Sequence, residues 1–166
     1  MSRAFVKELD GDDADSGVPE RPQSEHPNYI TAAGLTAMQA KFDAMRERRQ
    51  QLESQPEELS AKSELQSLKV ELSYLEKRLQ SAIPVQPGEQ DGDAIRFGAT
   101  VELLDENGDR HAFTIVGEDE ADVARGHISW VSPLGRELLN RTTGDAVIWR
   151  RPAGDLELEV TGFRYS

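Results

Sequence analysis

Two groups of side chains in this chain have the type and spacing to do chemistry. Glu57 and Glu58 stand side by side between Pro56 and Ser60, while Arg46, Arg48 and Arg49 crowd together and Lys62 and Lys69 follow. Carboxylates are ligands for hard divalent cations, and adjacent ones are equally at home as solvated residues of a turn. Clustered cations attract polyanions, or else lie along a solvated helix face with their stems over apolar neighbours. Other reactive side chains are scarce. The absence of cysteine removes disulfides, thiolate zinc sites and cysteine nucleophiles. His26, His111 and His127 are too scattered for a histidine metal site, and His111 and His127 are expected to have no convergent partners.

Both groups fall within a pair of heptad seams. Leu35, Met38, Phe42, Met45, Arg49 and Leu52 are spaced 3, 4, 3, 4, 3, with Arg49 as the polar interruption. Ala61, Leu65, Leu68, Leu72, Leu75, Leu79 and Ala82 alternate in the same way, and Pro84 closes the series. Thr31 is a good N-cap for the first helix, with Ile30 able to staple onto Leu35. Two seams with a short connection pair antiparallel. Matching Phe42 with Leu75 and Leu52 with Leu65 puts the fold-back between Glu58 and Leu59, with Ser60 capping the second helix. From Leu35 to Glu58 such a helix runs roughly 35 Å.

After the seams the period drops to two. Thr100–Leu104 and Ala112–Val116 read as strands flanking an Asn107-Gly108 turn. His127–Val131 is a third strand, and Ser132-Pro133 opens a short helix as N-cap and first residue. Asp145–Trp149 and Leu156–Phe163 complete an antiparallel sheet around that helix. The fold class is therefore α+β. Residues 1–28 read as a disordered acidic tail, 29–84 as an antiparallel coiled-coil hairpin, 85–94 as a linker and 95–166 as the C-terminal domain. Trp130 and Trp149 are expected in its core.

Net charge is −12, distributed as −4 over residues 1–30, zero over 31–83 and −8 over 84–166. Phosphate neutralisation needs a basic footprint, so autonomous DNA binding is excluded, and an acidic surface favours a basic protein partner. With no apolar leader or membrane-length run, a cytoplasmic protein without membrane contact is expected, and a monomer.

Several segments of the second half resemble the C-terminal domain of the bacterial GreA/GreB transcript-cleavage and elongation factors. They are Phe97-Gly98-Ala99-Thr100-Val101-Glu102, Phe113 through Glu120, Ile128 through Leu139, Gly144-Asp145 and Pro152-Ala153-Gly154. Ile30-Thr31-Ala32-Ala33-Gly34 resembles the segment that opens the family's hairpin, and the whole leans towards GreB with a short hairpin. The resemblance implies an FKBP-like C-terminal domain gripping the rim of the RNA polymerase secondary channel, with the hairpin entering the channel. It places Val131, Ser132, Pro133 and Leu134 in the partner-binding loop, although Val131 stands where the family usually has an acidic residue. It implies that Arg46, Arg48, Arg49 and Lys62, with Lys69, face the RNA 3′ end.

In active members the hairpin tip carries an Asp and, three residues later, a Glu, which together hold a Mg²⁺ at the polymerase centre. Here the hairpin is about one heptad shorter per arm, or roughly 10 Å. Glu58 falls at the Asp position and Ala61 at the Glu position, leaving Glu57 and Glu58 as the tip candidates for metal. The expectation is a polymerase-binding elongation regulator with weak or no cleavage stimulation, no cofactor of its own and at most Mg²⁺ shared with polymerase. It is not itself an enzyme. The alternatives are a cleavage-competent GreB-like factor and a coiled-coil adaptor unrelated to polymerase. A prolyl isomerase, prompted by the implied fold, would need an aromatic pocket that a small sheet using its aromatics as core does not supply.

Overall fold

The structure, a computed structural model, describes residues 19–55, 58–86 and 92–165. Two long helices, α1 (Ala32–Glu53) and α2 (Leu59–Ser81), form an antiparallel pair. Thr31 caps α1 as expected, its Oγ1 accepting from the Gly34 N–H at 3.0 Å. The 22 residues of α1 make a rod of about 33 Å. The seams sort into two apolar clusters. Near the base, Leu35, Met38 and Phe42 meet Leu75, Leu79 and Ala82; near the tip, Leu52 meets Ala61, Leu65 and Leu68. Met45 touches both clusters.

Two details of the reversal differ from expectation. α1 stops at Glu53 with Ser54 as its C-cap, whose N–H donates to the Gln50 carbonyl and whose Oγ donates to that of Gln51 at 2.7 Å. The reversal thus begins earlier than a fold-back centred on Glu58-Leu59 requires. Glu58, not Ser60, is the N-cap of α2: its backbone is extended and its carbonyl accepts the first helical bond, from the Lys62 N–H at 3.2 Å. Ser60 therefore lies inside the helix, its Oγ 3.4 Å from the Glu58 carboxylate.

The hairpin base is closed by a pairing that two residues are too short to announce. β1 (Tyr29–Ile30) runs parallel to β2 (Ile83–Pro84), and the Val85 N–H donates to the Ile30 carbonyl at 2.9 Å. Residues 20–28, expected as part of a tail with little to bury, instead lie across α2. Asn28 is buried there, its Nδ2 donating to the Arg78 carbonyl at 2.8 Å. The remainder of that expected tail, residues 1–18, is outside the described residues.

The second half is a five-stranded sheet in the order β5-β4-β3-β7-β6. Its strands are β3 (Thr100–Asp105), β4 (Arg110–Val116), β5 (His127–Ser129), β6 (Ala146–Trp149) and β7 (Leu156–Arg164). The sheet is mixed rather than wholly antiparallel, since β5 runs parallel to β4. Ten residues separate these strands, enough for two 3₁₀ turns, Glu118–Glu120 and Val123–Arg125, to carry the chain back alongside Thr114 in the C-terminal half of β4. β5 ends at Ser129, two residues short of the expected strand, where the chain turns into the short helix α3 (Pro133–Leu138). Leu134 and Leu138 of α3 pack with Val101, Ile115, Leu158 and Val160 in the main core. Trp130 and Trp149 are half-buried against it. The β3–β4 turn is held by Asp105, whose Oδ1 accepts from the N–H groups of Asn107 and Asp109, both at 2.9 Å. No helix among the described residues is long and apolar enough to cross a membrane.

Candidate functional site

The hairpin tip presents little that is organised. Glu58 is exposed, and Glu57 lies outside the described residues. Beside Glu58, Leu59 is 83% exposed. Ala61, at the second carboxylate position of the resemblance, is buried in the tip cluster against Leu52 and Leu68. No cluster of three or more His, Asp or Glu able to hold a metal ion exists among the described residues. The described tip therefore offers Glu58 and, at the spacing of the resemblance, an apolar Ala61; the pairing of Glu58 with Glu57 lies outside the described residues.

The five cations expected to act together are divided. Arg48 is engaged with Glu64 across the hairpin, its Nε 2.6 Å and Nη2 2.9 Å from the two carboxylate oxygens. That contact holds the Glu64 carboxyl below its ordinary range and the Arg48 guanidinium above its own. Arg46, Arg49 and Lys69 line a separate groove between the helices with Phe42, Leu72 and Glu76. Lys62 stands one residue beyond the buried Ala61 and does not line that groove.

In the expected partner loop, Ser132 caps α3. Its Oγ accepts from the Gly135 N–H at 3.1 Å and donates to the Ser129 carbonyl at 2.6 Å. A Cβ at Gly135 would overlap that same carbonyl, so the tight turn needs glycine. Pro133 is exposed and Val131 half-buried. Leu134 is a correction to the expected contact set: it is only 4% exposed and belongs to the main core, so it supports the loop from beneath.

The most elaborate polar arrangement joins the hairpin to the sheet. Arg78 of α2 is 2% exposed, its Nε donating to Asp119 at 2.6 Å with Glu118 at 3.7 Å. The Tyr74 hydroxyl donates to the other Asp119 oxygen at 2.5 Å. Burial first, and the Asp119 carboxylate second, push the Tyr74 hydroxyl up to about 12. Glu120 reaches the start of α1, where Oε2 accepts from the Thr31 N–H at 3.0 Å and Oε1 bonds the Thr31 hydroxyl. A Cβ at Gly34 would overlap the Glu120 carboxylate, and one at Gly117 the Tyr29 carbonyl. The Ile30–Gly34 and Gly117–Glu120 segments are therefore opposite sides of one joint.

Sequence spacing gave no sign of this meeting across 83 or more positions. Arg78 carries no distinguishing sequence signal, and only its burial reveals its role. His111, expected to lack a partner, has one: its Nε2 is 2.9 Å from Asp105 Oδ2, and its ring stacks on Phe113. That contact, with the two turn N–H groups, draws the Asp105 carboxyl below its ordinary range.

Comparison with known proteins extends over most of the chain. Residues 89–165 match the family described as transcription elongation factor, GreA/GreB, C-terminal. A transcription elongation factor GreA from Nitratidesulfovibrio vulgaris (strain DSM 19637 / Miyazaki F) is 34% identical over 148 residues, covering 85% of this chain and 82% of the relative. A transcription elongation factor GreB from Neisseria meningitidis serogroup B is 42% identical over 93 residues, 55% of this chain and 57% of that protein. Among solved structures, GreA factor homolog 1 of Thermus thermophilus is 26% identical, with 84% of this chain and 99% of that one covered at a TM-score of 0.40.

Proposed function

The chain belongs to the GreA/GreB family of transcription elongation factors, and from that premise we propose that it binds RNA polymerase at the secondary-channel rim while giving little transcript cleavage. The observation that carries the second half is the place of Ala61. The position that should supply the second carboxylate is not only apolar but packed inside the tip cluster. Metal-assisted hydrolysis depends on placement at the ångström scale, and Glu58 without a carboxylate three residues on, at the end of a short rod, does not meet it. The chain supplies no catalytic residue of its own in this reading, and any Mg²⁺ belongs to the polymerase. Family membership also weighs against an adaptor unrelated to transcription.

For docking, the exposed Pro133 and the half-buried Val131 form the contact, presented by the Ser132 cap and backed by Leu134. The acidic second half suits a basic rim. The test is competition for core RNA polymerase against an active GreB-like factor. Pro133→Arg places a long cation in a packed contact and should weaken binding at least about tenfold, or about 1.4 kcal/mol. Unchanged affinity in a folded Pro133→Arg protein removes the loop from the interface.

A further inference from the structure

On one side of the hairpin, Arg46, Arg49 and Lys69 surround a groove of 240 Å³ floored by Phe42 and Leu72, with Glu76 at one end. Among the described residues, Arg46 and Lys69 form no ion pair. The Arg49 Nε is buried without a hydrogen-bond acceptor, and its nearest carboxylate, Glu53, stands 3.7 Å away. Three cations over an apolar floor, against one carboxylate, fit an acidic chain segment.

The strap that crosses α2 leads towards this groove. Followed backwards from Asn28, it places the Ser24 Oγ 2.9 Å from Glu118 and Arg21 against Glu71 at 3.0 Å and over the Tyr74 ring at 3.7 Å. Glu20 then meets the Lys77 Nζ at 2.9 Å. Lys77 lies one turn after Ser73, and Ser73 lines the groove, so the strap is crossing α2 towards its open side. Upstream stand Glu8, Asp10, Asp12, Asp13 and Asp15. Fully extended, the chain from Glu20 spans up to roughly 17 Å to Asp15 and roughly 34 Å to Asp10. Lys69 is only about 12 Å along the helix from Lys77.

We propose that the acidic segment Glu8–Asp15 docks in cis in the Arg46–Arg49–Lys69 groove and screens it from external polyanions. The tether supplies a high effective concentration, while the exposed cations keep the contact salt-sensitive and displaceable. Where the hairpin meets RNA, a consequence that rests on the polymerase reading, nucleic acid and tail compete for the same three cations.

The chain has no cysteine, so Ser16→Cys in the full-length protein takes a single nitroxide label. At low salt the label should weaken the amide signals of Arg46, Lys69 and Ser73 by about twofold or more, sparing Asn107 and Gly108 in the turn at the far end of β4. Asp→Asn changes at positions 10, 12, 13 and 15 should restore them. Equal weakening at the β3–β4 turn, or weakening that survives those changes, overturns the proposal. Weakening passed from a labelled molecule to an unlabelled one assigns the groove to a second copy and also overturns it. As a second readout, removing residues 1–18 should tighten binding of a short oligoribonucleotide by about threefold or more at low salt, and equal binding contradicts the screening. Neither readout involves polymerase, so failure here leaves the polymerase reading standing.

Discussion

The two ends of the hairpin are built on opposite principles. At the base, Arg78 is buried between Asp119 and Glu118, Glu120 clasps the first turn of α1, and two glycines let backbone approach closely. At the tip, the ion pair Arg48–Glu64 is open to solvent, Leu59 projects outwards and the small cluster around Leu68 supplies the apolar contact. Exposed pairs contribute little, whereas a buried cation is costly to leave unmatched. The hairpin is thus a lever fixed at one end: its direction is set by the joint with the sheet, and its tip is free to vary.

The contrast breaks first at Arg78. Arg78→Met leaves Asp119 and Glu118 without their cation at the joint, while the Tyr74 hydroxyl keeps its bond to Asp119, and should cost about 3 kcal/mol in urea unfolding, towards the lower end because the acids are partly solvated. Arg48→Ala, the matching change near the tip, should leave the unfolding midpoint unmoved. Equal effects of the two changes would erase the distinction between base and tip. A smaller loss is expected from Gly34→Ala, which must displace Glu120 from Thr31: about 2 kcal/mol, with the sheet itself retained.

The smallest effect is a dependence on alkaline pH. Tyr74 is raised in the folded state, to about 12 from an ordinary value near 10. A folded value above the unfolded one gives stability that is fully present below about pH 10 and lost as pH rises towards 12. Tyrosinate absorbance should contain a component that appears only near the upper limit and is missing in Tyr74→Phe. The same variant should lose less stability than the parent over that interval.

The elements were legible because their periods are. Heptad spacing identified both helices and grouped Phe42 with Leu75 and Leu52 with Leu65, and the Asn107-Gly108 turn placed the β3–β4 hairpin. What escaped was set by contacts between distant segments. A two-residue strand such as Tyr29–Ile30 has no period to detect, and parallel pairing of β4 with β5 follows from a ten-residue excursion whose direction no local signal gives. The candidate sites were less legible still. The cations clustered in sequence but fell on two sides of the hairpin, because neighbours on a helix point about 100° apart. Leu134 adjoined an exposed loop residue yet turned inwards as the first apolar anchor of α3. Arg78 went unmarked in the sequence, since only the fold brings Asp119 to it.

The direct test of the central claim is RNA shortening in a stalled, backtracked elongation complex at saturating protein. Cleavage should stay near the polymerase's intrinsic level, and cleavage by a competing GreB-like factor should be lost as the protein occupies the channel. Strong cleavage that disappears in a Glu57→Ala, Glu58→Ala double variant would contradict it and make those two carboxylates the metal-holding pair.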